Sequence, residues 1–261
     1  MLITLTTDFG LRDPFVGIMK GVILARAPQA TLVDLCHEIP AQDVVAGALA
    51  LEAAVNYFPP ETLHLAVVDP GVGSARRPIA VRTNRAILIG PDNGLLWLAL
   101  TKLDVLEAAI LDRPAYHLTP VSTTFHGRDI FAPAAGHVAS GVPVSRLGTA
   151  LPVPEIQRLE LPPPKPTARG LDLRVLAVDR FGNLVLNVDA QECARVRPGR
   201  AAFLLDLHGV TIKGPCRTFS EVPEGHPLTY YGSTGRLEIA VRNGNAAAVL
   251  GAQAGDLVHL T

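Results

Sequence analysis

The sequence is poor in residues that mark several common kinds of protein. It holds three cysteines, Cys36, Cys193 and Cys216, far apart and with no C-x-x-C pair. That spacing suits neither a disulfide framework nor a zinc site, and it predicts three ordinary buried thiols. Charged residues make up 18% of the chain and the formal net charge is −1. Such a balance lacks the basic excess of a nucleic-acid or anionic-membrane surface, so neither partner is expected. No apolar run reaches the ~18 residues of a membrane span. The opening residues, Met1 to Thr7, have no basic head and no small-residue cleavage site, and read as a strand rather than a secretory leader. A cytoplasmic protein is expected. Internal repeats, heptads and low-complexity tails are also missing.

What is present is apolar: 48% of residues are hydrophobic, enough for a well-filled core and too much for a long disordered segment. Against a prior of ~150 residues per domain, 261 residues make one large domain or two modest ones.

Taken in order, Ile3–Thr7 reads as a strand ending at Asp8-Phe9-Gly10. Asp13-Pro14 opens a helix, with Asp13 as N-cap and Phe15, Ile18, Met19, Val22 and Ile23 on its apolar face. Thr31–Leu35 is a second strand, and Gln42-Asp43 caps a second helix running to Phe58, stopped by Pro59-Pro60. Leu63–Val68 is a third strand, β-rich and apolar throughout as in a buried parallel sheet. Residues 79–82 and 86–89 form a hairpin, 95–100 an apolar segment, 104–111 a strand and 132–138 a small-residue helix. Strand alternating with helix is the signature of a mostly parallel α/β layer. Between Leu151 and Thr167 six prolines exclude helix and central strand and favour an extended spacer. Beyond it, short alternating runs at 171–178, 184–188, 201–207, 237–241 and 257–260 predict a small all-β, barrel-like domain. The expected organisation is an α/β domain over 1–158, a proline-rich linker over 159–169 and a β-barrel domain over 170–261.

The stretch Val67-Val68-Asp69-Pro70-Gly71-Val72-Gly73 places a carboxylate where a parallel strand ends, the end at which open α/β sheets bind ligands. Gly71 and Gly73 suggest a dinucleotide fingerprint, but the third glycine is replaced by Arg76. Asp8, Asp69, Asp92, His126 and Asp129 lack metal-ligand spacing, and arginines compete for two of these acidic clusters, so no metal is expected. There is no G-x-S-x-G elbow and no cysteine beside a glycine turn. What remains is Asp69, Arg76 and His126, a trio without a protein nucleophile. An arginine beside a carboxylate keeps it ionised, and the pair can orient a water as acceptor and donor. His126 brings a group that titrates near neutrality, to take a proton or to hold the water's second hydrogen.

Thr6-Thr7-Asp8-Phe9-Gly10, Val67 to Gly73, Gly90-Pro91-Asp92-Asn93-Gly94, Phe125-His126-Gly127-Arg128-Asp129 and Asp179-Arg180-Phe181-Gly182-Asn183 occur in this order, followed by Gly232-Ser233 and Leu237 to Val241. Together they closely resemble the S-adenosylmethionine (SAM) hydroxide adenosyltransferase family, adenosyl-forming SAM hydrolases related to the SAM-dependent fluorinase and chlorinase. The resemblance implies that water attacks the ribose C5′ of SAM, giving adenosine and L-methionine, with no cofactor beyond the substrate itself. It assigns water handling to Asp69, Arg76 and His126, and the ribose hydroxyls to Asp8. Asp179 and Asn183 would take methionine or adenosine polar groups, Phe181 would pack on the adenine, and Ser233, Glu238 and Val241 would complete the pocket. It further implies a homotrimer with sites at subunit interfaces. The halide-using relatives carry Tyr and Ser after the phenylalanine matching Phe125, where this chain has His126 and Gly127. They also carry an extra loop that the region after Gly94 leaves no room for. Both differences favour hydrolase over halogenase. A halogenase and a non-catalytic adenosine or SAM binder stand as the alternatives.

Overall fold

The computed structural model describes residues 1–196 and 202–261. The chain divides into two compact units, Met1–Leu159 and Glu160–Thr261.

The first unit is built on six strands, β1 (Leu2–Thr7), β2 (Thr31–Cys36), β3 (Thr62–Val67), β4 (Pro78–Thr83), β5 (Ala86–Pro91) and β6 (Val105–Ile110). They form one sheet in the order β2-β1-β3-β5-β4-β6. The first four in that order run parallel, whereas β4 is antiparallel to both β5 and β6. Helices cover both faces because the strands are apolar on both. From β3 and the residue after it, Leu63, Leu65 and Val67 pack with Met19 and Ile23 of α1 (Phe15–Leu24). Ala66 and Val68 pack with Leu51 of α2 (Val44–Ala54) and Ala99 of α3 (Trp97–Leu100). The small-residue helix α4 (Ala132–Ala139) lies beside α1, its alanines allowing close approach. Asp43 caps α2 as its position predicts, accepting from Ala46 N at 2.8 Å.

Three local expectations are corrected. Asp13 does not cap α1: Pro14 holds the N-cap position without a side-chain bond, and its carbonyl accepts from Ile18 N at 2.9 Å. The buried face of α1 is Val16, Met19 and Ile23, whereas Phe15 and Ile18 are exposed, because the stripe through Met19 and Ile23 is the one that packs on the sheet. The second helix ends at Ala54, before its apolar run does.

The second unit is antiparallel throughout. Its strands are β7 (Lys165–Pro166), β8 (Leu171–Val178), β9 (Leu184–Asp189), β10 (Phe203–Leu207), β11 (Val210–Gly214), β12 (Pro227–Tyr231), β13 (Arg236–Val241) and β14 (Leu257–Leu260). The order is β11-β10-β14-β8-β9-β13-β12, with β7 on β8. The ends approach one another where Cys216 N donates to Thr229 O at 2.7 Å, so the sheet is a nearly closed barrel around Leu173, Leu186, Leu205, Ile239 and Val258. Two short helices, α5 (Ala190–Val196) and α6 (Ala246–Leu250), are added to it. Strands β11 and β12 were not expected from the sequence; each is only five residues long, Val210-Thr211-Ile212-Lys213-Gly214 and Pro227-Leu228-Thr229-Tyr230-Tyr231, and offers just one or two aliphatic positions as a signal. The run expected from position 201 begins at Phe203, and position 201 lies outside the described residues. Of the three thiols, Cys193 is buried while Cys36 and Cys216 are half-buried, so the expectation of three buried thiols holds for one.

Candidate active site

Strands β1 and β3 are parallel neighbours with Thr7 opposite Val67. Asp8 and Asp69 therefore emerge near each other from adjacent carboxyl ends. The chain turns from β1 outward to β2 and then back across to β3, so this is the sheet's switch point, where doubly wound folds open a crevice.

Beyond Asp69 the chain makes a tight turn, with Val72 N donating to Asp69 O at 3.2 Å and Ser74 N to Gly71 O at 3.0 Å. Gly73 sits at φ +76°, and a Cβ there would come 2.4 Å from the Thr123 carbonyl oxygen. Gly73 thus lets this turn press against Thr123, on the loop that leads to His126. The opposing loop is held from below by Asp129, whose side chain is 1% exposed. Its carboxylate accepts from Ser122 N at 2.8 Å and from Arg128 Nε at 2.6 Å. Burial opposes ionisation of Asp129, but these bonds outweigh it and its pKa lies below the usual carboxylate range.

Arg76 is the hub. Its Nε donates to both Asp69 oxygens at 2.8 and 3.0 Å, its Nη2 also bonds Oδ2, and Nη2 reaches His126 Nδ1 at 2.9 Å. The guanidinium lies over the Phe131 ring, 5.1 Å from its centroid. Both side chains of the ion pair are more than nine-tenths buried, so the charges are paired rather than left desolvated. Arginine has no acceptor, so His126 Nδ1 must offer a lone pair and the neutral ring carries its hydrogen on Nε2. Burial and then Arg76 hold the His126 pKa below 6.5, with Asp69 and Asp129 pulling upward without reversing the shift. Among the described residues, Arg76 Nη1 is buried with no protein acceptor. The cluster therefore leaves one N–H donor, His126 Nε2, for an oxygen that is not the protein's, while Arg76 Nη1 stays enclosed without a partner.

Asp8 lies in the next turn, its Oδ2 accepting from Gln42 N at 2.8 Å. Phe9, Phe15 and Phe125 pack edge to face against one another, with centroids 5.3 to 6.0 Å apart. Asp92 is drawn elsewhere: Arg77 and Gln157 N occupy its carboxylate, which makes it a tie to the 155–157 segment. Among the described residues no group of three or more His, Cys, Asp or Glu is arranged to hold a metal ion.

The second unit gathers the remaining candidates. Asp179 Oδ1 accepts from Phe181 N at 2.9 Å and Asn183 N at 2.8 Å, and Oδ2 from Asn183 Nδ2 at 2.8 Å. Asp179 thus largely organises its own turn. It also orients Asn183, whose amide nitrogen faces the carboxylate and whose Oδ1 is left to accept. Phe181, 75% exposed, lines a cleft of about 550 Å³ together with Asn183, Val241, Phe219, Asn243 and Gly244. Sequence reasoning missed the last three; Asn243-Gly244 is an ordinary turn signal, and Phe219 sits in a polar loop. Ser233 lies outside this lining, exposed in the β12–β13 turn. Glu238 is buried beneath that turn and accepts from Tyr230 OH at 2.5 Å. Burial, with Asp179 nearby, raises its pKa despite the Tyr230 bond. A Cβ on Gly232 would fall 1.9 Å from Glu238 Oε1.

The chain matches the SAM hydroxide adenosyltransferase N-terminal domain over residues 3–148 and the C-terminal domain of the same family over residues 173–259. It belongs to the SAM hydroxide adenosyltransferase family. It is 42% identical to the (R)-S-adenosyl-L-methionine hydrolase of Thermus thermophilus, covering 97% of each chain. It is 40% identical to the protein of that name from Salinispora arenicola, over 99% of this chain and 97% of the relative. The fluorinase of Actinoplanes sp. is 28% identical over 100% of this chain and 97% of the relative. Among solved structures, an uncharacterized conserved protein of Thermotoga maritima superposes with a TM-score of 0.89 at 32% identity, covering both chains fully. In the described residues no helix is long and apolar enough to cross a membrane.

Proposed function

We propose that this member of the family is an S-adenosyl-L-methionine hydrolase in which water attacks ribose C5′ and releases adenosine and L-methionine. The observation that carries the reading is the Arg76 hub, which holds Asp69 and His126 together with His126 Nε2 left to donate and presents no nucleophile of the protein's own. The new C5′–O bond takes its electrons from water, the C5′–S bond gives its pair to sulfur, and the water's surplus proton is lost to solvent. The leaving group departs as a neutral thioether, so no general acid is needed. Holding water in line with the C–S bond supplies the acceleration, on the order of 7 kcal/mol or more in favourable cases. With Nδ1 engaged by Arg76, His126 donates from Nε2 and orients the water; it is not the base.

Asp8 takes the ribose hydroxyls with the acceptor capacity that the Gln42 amide leaves on its carboxylate. Phe181 stacks on adenine, Asn183 Oδ1 and Val241 receive the adenosine edge, and Asp179, Ser233 and Glu238 serve the methionine end. Completing the site would bring the first unit of one subunit to the second unit of its neighbour in a homotrimer. No metal or organic cofactor takes part. Incubation with SAM in halide-free buffer containing EDTA and 18O-water, followed by mass spectrometry, tests the reaction. Adenosine labelled at its 5′-oxygen beside unlabelled methionine is expected. Turnover that requires chloride would replace this reading with a halogenase, and bound SAM without turnover would replace it with a binding protein.

A further inference from the structure

His37 lies nearly thirty positions from Asp8 in sequence, is 4% exposed and belongs to none of the motifs discussed above. It nonetheless grips the Asp8 turn from both sides. Its carbonyl accepts from Gly10 N at 2.8 Å. Its Nδ1 meets Thr7 Oγ1 at 2.9 Å, and the same hydroxyl oxygen accepts from Phe9 N at 3.2 Å. The residues on either side of Asp8 are therefore tied, directly or through one hydroxyl, to a single imidazole and its own backbone. The ring is itself locked. Its Nε2–H donates to Asp34 Oδ1 at 2.9 Å, and Asp34 Oδ2 accepts from Lys20 Nζ at 2.7 Å on α1. Because the Asp34 carboxylate only accepts, Nε2 carries the hydrogen, and in the neutral ring Nδ1 accepts from Thr7. A chain running Lys20–Asp34–His37–Thr7 thus holds the backbone on either side of Asp8, while Gln42 N pins one oxygen of its carboxylate. Gln42 adopts φ +66°, a backbone state that non-glycine residues hold only where surroundings impose it, often at functional sites.

We infer that His37 is a positioning residue that aims the Asp8 carboxylate at the 2′- and 3′-hydroxyls of the substrate ribose. The inference rests on the proposed role of Asp8 in that grip. A carboxylate accepting from two adjacent hydroxyls loses both bonds if it rotates, and misplacement of about 1 Å can cost on the order of a hundredfold.

The test compares His37→Ala, His37→Gln and Asp8→Ala on SAM and on the analogue lacking both ribose hydroxyls, reading kcat and KM separately. On SAM, His37→Ala is expected to lower kcat/KM ten- to hundredfold, mostly through KM, with His37→Gln recovering part of the loss. On the dideoxy analogue, His37→Ala and Asp8→Ala are both expected to change kcat/KM less than about twofold, since no diol is left to aim at. If Asp8→Ala depends on the diol while His37→Ala loses equally on both substrates, His37 is merely structural and the inference is overturned. If Asp8→Ala itself loses equally on both, the ribose role of Asp8 fails first, and the inference with it. Should His37→Ala fail to fold, Thr7→Val removes the hydroxyl between His37 and Phe9 without changing shape. It is read by the same two-substrate comparison.

Discussion

Arg76 donates to His126 Nδ1 at 2.9 Å while gripping both oxygens of Asp69. One guanidinium thereby fixes the orientation of the carboxylate and the tautomer of the imidazole, so the trio behaves as one unit. Protonating His126 would put a hydrogen on Nδ1, facing an arginine that can only donate, and would break that unit.

A pH profile follows. Burial and then Arg76 depress the His126 pKa below 6.5; Asp69 and Asp129 oppose this, and His117 adds to it. The neutral ring required by the Arg76 bond therefore persists through neutrality. Log kcat/KM is expected to be flat near pH 7 to 8 and to fall only at an apparent pKa below 6.5, as measured by initial rates across pH. An acid limb centred above 6.5 would contradict the assignment.

Subunit mixing tests where the site is completed. His126→Ala and Asn183→Ala subunits, each inactive alone, are dissociated together and reassembled. If each site joins the first unit of one chain to the second unit of the next, about a quarter of sites in random trimers regain both halves. Activity returning toward that fraction is the expected outcome. A mixture as inactive as its parents would confine the site to one chain.

Gly232→Ala probes the Glu238 carboxyl. The added methyl group cannot share space with Oε1, so the carboxyl must leave its Tyr230 bond or the turn must shift. SAM affinity is expected to fall on the order of tenfold, as for loss of one bond to a charged group. Calorimetric titration would read it, with thermal unfolding compared to separate binding from folding.

His64 gives a stability prediction away from the site. It lies fully buried in β3, its Nδ1 bonded to Thr4 Oγ1 at 2.8 Å and its ring edge-on to Phe58. Burial lowers its pKa to about 4. The unfolded chain takes up a proton below about 6.5 while the folded chain does not, so stability decreases as pH falls from 6.5 toward 4. The neutral ring's contribution is complete above that window, and about 3 kcal/mol of it is lost across the window. Urea unfolding should show that slope in the wild type and lack it in a Thr4→Val, His64→Leu double variant.

Much of this molecule was legible locally. The buried parallel strand β3, the hairpin of β4 and β5, the Asp43 cap and the change of composition beyond Leu151 all express neighbour-to-neighbour chemistry. The same holds for singling out Asp69, Arg76 and His126 as candidates, since strand ends and glycine turns announce themselves in short stretches and the motifs that carry the family resemblance are contiguous. Where a property depended on partners distant in the chain, the sequence could not supply it. The cap of α1 and the side it buries were set by packing on the sheet, not by the Asp13-Pro14 signal. The hydrogen on His126 was decided by an arginine fifty residues away, and the setting of Asp8 by His37 and Gln42. Raising the Glu238 carboxyl pKa took the burial that a folded barrel provides. Residue types and their order determined which groups this protein would use. Which lone pair, which hydrogen and which direction each group offers was decided only when long-range contacts filled one side of every donor and acceptor and left the other open.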